Sequence, residues 1–301
     1  MYDLIIIGAG SGGLSAAVYA RRFLMKTLVI GELMGGLLTT THLVENWPGE
    51  KSISGTELMN KLEAHARSLG AEMINDKVTS VEKKKEGYLI RTSDKEYKAK
   101  SLIISTGTVH RELGVKGCKK YANRGVSYCA ACDAAFFKNK VVGVVGGGDS
   151  AAKESLLLTE YAKKVYIINR DDDLTAEPIN LQRVNEKISE GAIKLVSNAE
   201  VKEVKGDGEK VTGVLLDNGK KLLLDGLFIE IGSTPQTSLA ESIGVELNDK
   251  GEIIIDKLSR TSVEGVFAAG DCVNHPYKQA IIASGQGVNA SFSAYDYLNR
   301  K

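Results

Sequence analysis

Asp3-Leu4-Ile5-Ile6-Ile7-Gly8-Ala9-Gly10-Ser11-Gly12-Gly13 opens the chain, and Val141-Val142-Gly143-Val144-Val145-Gly146-Gly147-Gly148-Asp149-Ser150-Ala151 repeats its pattern about 140 residues later. Each is a short apolar run that turns through glycines into a helical pattern. A run without polar alternation reads as a strand buried on both faces. The spacing from Gly8 is G-x-G-x-x-G, in which the first glycine permits a tight turn, the second lets backbone approach a pyrophosphate, and the third packs helix on strand. The phosphates then meet the free N–H groups of the helix start. The first helix is expected to run to about Phe23 and the next strand to span Thr27 to Ile30. In the second unit the helix carries Glu154 and the next strand is Val165 to Ile168. Gly8, Gly10, Ser11 and Gly13 are therefore expected on one dinucleotide, and Gly146, Gly148, Asp149 and Ser150 on another. Glu32, just after the second strand, is the candidate for a ribose hydroxyl. Two fingerprints imply two nucleotide sites and two domains, and β-branched runs alternating with helical patterns give an α/β fold with parallel sheets.

Bulk composition narrows the function. The chain has 301 residues, 43% of them apolar, with 39 basic and 38 acidic residues interspersed. That is enough to bury one or two cores, and it offers no electrostatic footprint for nucleic acid. The N-terminus lacks a basic region before its short apolar run, and no stretch reaches the length of a membrane span. A cytoplasmic protein without a membrane or nucleic-acid partner is expected. Two dinucleotides in such a chain suggest a flavin and a nicotinamide, one relaying electrons from the other.

Between the fingerprints lies Ser127-Tyr128-Cys129-Ala130-Ala131-Cys132-Asp133. Zinc needs four ligands, and a second paired motif is missing because His42, His65, His110 and His275 are scattered singly, so no metal is expected. A redox dithiol is the better reading, since a two-residue spacer lets the sulfurs close a disulfide that exchanges readily. Asp133 serves either as a proton donor or acceptor beside a released thiolate or as a helix N-cap for Ala134 onward. Cys118 and Cys272 read as buried thiols with no task.

With these segments quoted, nearly the whole chain resembles the low-molecular-weight thioredoxin reductases. Gly35-Gly36-Leu37-Leu38-Thr39-Thr40 and Val44-Glu45-Asn46-Trp47-Pro48-Gly49 resemble that family's FAD domain. Ser105-Thr106-Gly107-Thr108 resembles its A-T-G segment, and Gly265 to Asp271 its second FAD motif. The resemblance implies FAD contacts at Gly36, Leu37, Thr39, Asn46, Thr106, Gly107, Gly270, Asp271, Gln279 and Ala280. It implies an FAD domain at residues 1–112 and 241–301, interrupted by a nicotinamide domain at 113–240 that carries Cys129 and Cys132. It further implies a homodimer, Cys132 facing the flavin, and an insert that rotates on its two linkers. Electrons would pass from a donor through FAD and the dithiol to a thioredoxin-like or glutaredoxin-like protein disulfide.

One departure bears on the donor. NADPH-using members typically read H-R-R with a third Arg four places on, where this chain has Asn169-Arg170-Asp171-Asp172-Asp173-Leu174-Thr175. Arg170 alone survives of a cluster whose charge-assisted bonds contribute about 1.5–3 kcal/mol each. Asp171 stands where an acidic side chain would take a ribose hydroxyl, which favours NADH over NADPH. A reduced deazaflavin or ferredoxin as donor, and an NADH oxidase or ferredoxin reductase with an idle cysteine pair, are the alternatives. Leu37, Lys278 and Ala134 replace the family's usual Gln, Arg and Gly.

Overall fold

The computed structural model describes residues 1–300. In chain order the elements are β1 (Tyr2–Ile7), α1 (Ser11–Arg22), β2 (Thr27–Gly31), α2 (Gly55–Ser68), β3 (Glu72–Asn75), β4 (Val78–Lys84), β5 (Gly87–Thr92), β6 (Glu96–Ile104) and β7 (Thr108–His110). There follow β8 (Val126–Ser127), α3 (Ala130–Asp133), β9 (Val141–Val145), α4 (Asp149–Leu158), β10 (Lys164–Ile168), α5 (Pro178–Ser189), β11 (Ile193–Val196), β12 (Val201–Gly206), β13 (Val211–Leu216), β14 (Lys221–Leu223) and β15 (Gly226–Ile229). The chain then completes β16 (Ser233–Pro235), α6 (Ser238–Glu241), β17 (Val266–Ala268) and α7 (Ala280–Asn299). Two compact units result, one from residues 1–109 with the chain from Pro235 onward, the other His110–Thr234.

The first unit is built on a seven-stranded sheet ordered β3-β2-β1-β6-β5-β4, with β17 also paired to β6. The strands β3, β2, β1, β6 and β17 run parallel, while β5 pairs antiparallel with both β6 and β4. β1 is buried on both sides, as its unbroken apolar run requires: Leu4 and Ile6 pack with Ala16, Ala17 and Ala290, while Ile5 and Ile7 pack with Leu28, Ile90 and Leu102. α1 and α7 lie against each other through small residues. A Cβ on Gly287 would come within 2.0 Å of the Gly12 carbonyl, and Ser291 Oγ donates to the Ala16 carbonyl at 2.7 Å. This approach seats the start of α7 beside the glycine loop. α1 ends one residue short of the expected Phe23, which becomes the C-cap, and Leu24 takes φ 60°.

The second unit has a five-stranded, all-parallel sheet ordered β11-β10-β9-β15-β8, and, beyond the parallel sheets expected, an antiparallel meander β12-β13-β14. One of its two cores gathers Val142, Val144, Val165, Ile167 and Phe228 from the sheet with Ala151, Leu158 and Val184 from the helices. Phe228 is fully buried and meets Phe137 edge-to-face at 5.3 Å between centroids. Phe228→Ala is therefore expected to destabilise this unit by about 3–5 kcal/mol, measured as a lower urea midpoint of the unfolding phase followed by probes in His110–Thr234.

Candidate active site

Each glycine loop is shaped by close backbone approaches. Gly8 has φ +108°, and a Cβ there would lie 2.0 Å from the Ser105 carbonyl; a Cβ on Gly13 would lie 1.9 Å from the Gly8 carbonyl. By contrast, a Cβ on Gly10 would meet no atom within 4 Å, and Gly10 begins α1 with no side-chain cap. The first N–H groups of α1 thus face open space over a glycine, the arrangement a pyrophosphate needs.

The residues expected around that cradle are contiguous in the first unit. Gly36, at φ +64°, approaches Gly10, and Gly35 N–H donates to the Ala9 carbonyl at 3.0 Å. Thr39 Oγ1 donates to the Gly36 carbonyl at 2.8 Å, while Leu37 is exposed. Asn46 Nδ2 donates to Gln279 Oε1 at 3.1 Å, and Ser284 Oγ donates to the Ser11 carbonyl at 3.3 Å. Thr106 Oγ1 donates to the Gln236 carbonyl, and Gly107 has φ +64°. Gly270 N–H donates to Gln286 Oε1 at 2.9 Å, and Gln279 and Ala280 form the uncapped start of α7. Burial pushes the Asp271 carboxyl up, opposed by the Lys278 ammonium. Ser105, quoted above only as the start of the A-T-G-like segment, meets Gly8 through its carbonyl, and Gln286, which holds Gly270, carries no local mark in the sequence. Glu32 is exposed and pairs with Lys77 at 3.2 Å.

The second loop repeats the design. Gly146 has φ +141°, and a Cβ there would lie 2.1 Å from the Glu230 carbonyl; a Cβ on Gly148 would meet nothing within 4 Å. Gly148 begins α4 with no side-chain cap, and Ser150 is exposed. The Asp149 carboxylate is otherwise engaged: it accepts from Glu177 N–H at 3.0 Å and Asn180 Nδ2 at 2.8 Å, and pairs with Lys153 at 2.7 Å. Only its backbone N–H remains for a phosphate. Beyond β10, Asn169 Nδ2 donates to the carbonyls of Asp171 at 3.0 Å and Asp173 at 2.9 Å, folding the aspartates into one turn. Arg170 Nε lies 3.4 Å from Asp171 Oδ2, and both side chains are exposed.

Cys129 and Cys132 form a disulfide in the second unit, with Cα atoms 5.4 Å apart. Cys129 is half-buried and Cys132 exposed. Cys129 is the N-cap of α3: its Sγ accepts from Cys132 N–H at 3.1 Å. Asp133 stands at the N-cap position expected of it, before the 3₁₀ turn Ala134–Phe137. Asp133 closes α3, and its side chain makes no cap bond to the 3₁₀ turn Ala134–Phe137. Ala130 N–H donates to Glu154 Oε2 of α4, tying the disulfide turn to the helix behind the second loop. Cys118 and Cys272 are free and buried, and no metal-ligand cluster occurs among the described residues.

A phosphate cradle on each of two α/β units, with a disulfide one helix from the second, defines a nucleotide-dependent disulfide oxidoreductase. The model of the pyridine nucleotide-disulphide oxidoreductase family matches residues 2–287. The chain is 41% identical over 304 aligned positions to the thioredoxin reductase of Listeria monocytogenes, covering 99% of this chain and 94% of that one. It is also 40% identical over 307 positions to a glucosaminate ammonia-lyase of Pseudomonas fluorescens, covering 98% and 95%. The crystal structure of Lactococcus lactis thioredoxin reductase superposes with a TM-score of 0.94 at 38% identity, covering 99% of each chain. This chain belongs to the pyridine nucleotide-disulphide oxidoreductase family, as a thioredoxin reductase-like flavoprotein disulfide reductase with a cysteine pair.

Burial pushes the Asp149 carboxyl up, but its bonds to Lys153, Asn180 and Glu177 N–H outweigh this and hold it below the usual carboxylate range. A lowered carboxyl contributes stability above its unfolded value, lost as pH falls through the folded one. Asp149→Ala is expected to destabilise the second unit by about 1–3 kcal/mol at neutral pH. Its deficit against the wild type should shrink below about pH 4, as read by urea unfolding at each pH.

Proposed function

We propose that the chain is a thioredoxin reductase that takes electrons from NADH through FAD and delivers them, by way of Cys129 and Cys132, to the disulfide of a thioredoxin-like or glutaredoxin-like protein. The observation that carries this is the Cys129–Cys132 disulfide with Cys132 exposed, held on the helix behind the second nucleotide loop. FAD would be held by Gly8, Gly10, Ser11, Gly13 and the contiguous set from Gly36 to Ala280 described above, and supplies a two-electron store between donor and disulfide. The pyridine nucleotide would be held by Gly146, Gly148, Ser150 and the turn of Arg170 and Asp171.

The cysteines carry the group chemistry. Two electrons and two protons open the Cys129–Cys132 bond to a dithiol. One thiolate attacks a partner disulfide, releasing a partner thiolate and forming a mixed disulfide; the second cysteine displaces the partner and closes the ring again. Asp133, at the end of the same short helix, is the proposed proton carrier for the departing thiolate. The disulfide also favours this reading over an ammonia-lyase, because eliminating ammonia needs no dithiol. A cytoplasmic setting, a homodimer, and a second unit that presents disulfide and nucleotide to the flavin in turn belong to the same proposal.

The preference for NADH rests on Asp171, in a turn braced by Asn169, with Arg170 as the single cation of the segment. The same shortage of cations supports a second reading, in which a reduced deazaflavin or ferredoxin replaces the nicotinamide.

Anaerobic stopped-flow reduction of the yellow protein tests the donor: fast bleaching by NADH and little by NADPH is expected, and bleaching by neither overturns the nicotinamide assignment. Asp171→Ala is expected to lower kcat/KM for NADH about tenfold, the loss of one charge-assisted bond. Cys132→Ser should still be bleached but should fail to reduce a thioredoxin disulfide.

A further inference from the structure

The segment that leads from β10 to α5 is strapped to the second glycine loop at three places. Asn169, the first residue after β10, is buried, only 3% exposed. A Cβ on Gly147 would lie 2.3 Å from Asn169 Oδ1, so the amide fills the notch that this glycine leaves. On its other side Asn169 Nδ2 donates to the carbonyls of Asp171 and Asp173 at 3.0 and 2.9 Å. Thr175 N–H donates to the Gly147 carbonyl at 2.7 Å, and Glu177 N–H donates to Asp149 Oδ1 at 3.0 Å. The chain just after β11 closes the turn: Ser197 Oγ donates to the Asp172 carbonyl at 2.8 Å, and Asn198 Nδ2 donates to Asp172 Oδ1. The carbonyls of three consecutive aspartates are thus all taken by neutral side chains, while Arg170 and Asp171 stay exposed.

We propose that Asn169 is a positioning residue for the pyridine nucleotide: it latches the aspartate turn to the glycine loop and so fixes Asp171 relative to the phosphate cradle over Gly148, as a ribose with an unphosphorylated 2′-hydroxyl requires. A dinucleotide meets two parts of this unit at once, its pyrophosphate at the start of α4 and its ribose at the turn after β10. A loose turn would have to be ordered on binding, and that cost comes out of affinity; a turn already fastened to the loop avoids it. An amide suits the task because it is neutral and offers an acceptor on one side and two donors on the other. Here the acceptor meets Gly147 and the donors take two carbonyls, which satisfies a side chain that burial would otherwise penalise. A carboxylate of the same shape would set an acceptor against those two carbonyls and open the latch. Asn198 engages the Asp172 carboxylate, which keeps it from competing with Asp171 for the ribose. A phosphate on the 2′-oxygen would meet the Asp171 charge across the same fixed gap, and like charges repel.

The inference rests on the NADH reading of this site, and the two can fail separately. Holoprotein is mixed anaerobically with graded NADH, and the dissociation constant and the limiting rate of flavin bleaching are read from the concentration dependence. Amide hydrogen exchange at Thr175 is followed on the same protein without nucleotide. Asn169→Asp keeps the shape and replaces both donors by an acceptor. It is expected to raise the dissociation constant about tenfold, to leave the limiting rate at the wild-type value, and to speed exchange at Thr175 about tenfold. Ser197→Ala, which removes only the bond to the Asp172 carbonyl, is expected to raise the dissociation constant about threefold. In Asn169→Asp a wild-type dissociation constant, wild-type exchange at Thr175, or a limiting rate that falls along with affinity overturns the inference and leaves the NADH reading standing. A wild type that binds no NADH overturns both. Should Asn169→Asp not fold, Ser197→Ala decides alone, and a wild-type dissociation constant there overturns the inference.

Discussion

Both nucleotide loops depend on the same steric constraint, met twice in one chain. At the end of the central strand of each sheet the backbone passes so close to the carbonyl of a neighbouring strand that a Cβ would lie 2.0 Å from Ser105 O at Gly8 and 2.1 Å from Glu230 O at Gly146. Only glycine tolerates this approach together with the positive φ of both positions. The turn it permits aims an uncapped helix start at open space over Gly10 and over Gly148. In the first unit Gly36 approaches Gly10, and Asn46 bonds to Gln279 at the start of α7. In the second, α4 carries both the loop and the glutamate that holds the disulfide turn.

The two units divide the labour by the chemistry of their side chains. The first holds the half-buried Asp271, whose carboxyl burial pushes up, and carries no reactive sulfur, since Cys272 is fully buried and bonded to the carbonyls of Ala269 and Ile104. The second carries the reducible pair, with one sulfur-bearing residue half-buried and the other exposed. An exposed Cys132 suits exchange with a macromolecular disulfide, and a short helix capped by the Cys129 sulfur itself keeps the pair in register. Ala130 N–H, bonded to Glu154, ties that short helix to α4, which begins at the second glycine loop.

How much of this was legible in the sequence follows from how local each feature is. β1, β9 and the glycine loops were readable because an apolar run buried on both faces, a tight turn and a helix start are written in adjacent residues. The cysteine pair was readable for the same reason. Asp133 does fall at the N-cap of the turn from Ala134, but its side chain makes no cap bond, and the Cys129 sulfur, an unusual acceptor, caps the preceding helix instead. The carboxylate of Asp149 looked available to a cofactor, but the start of α5 captures it through Glu177 and Asn180. The meander β12-β13-β14 is also written locally, in the Asp207-Gly208 and Asn218-Gly219 turns whose glycines take positive φ, but the alternation of strands with helices drew the reading to parallel sheets alone. Ser105, Gln286, Glu154 and Glu230 act across long stretches of chain, where only the tertiary fold brings partners together.

The claim on which the account turns is that the Cys129–Cys132 pair exchanges electrons with the bound flavin. An anaerobic reductive titration of the holoprotein with dithionite, following flavin absorbance while free thiols are counted, measures this directly. The account predicts two equivalents per chain in the wild type, one for the flavin and one for the disulfide, and one equivalent in Cys129→Ser. Uptake of a single equivalent by the wild type, with no thiols appearing as the flavin bleaches, would contradict it and leave the cysteine pair idle.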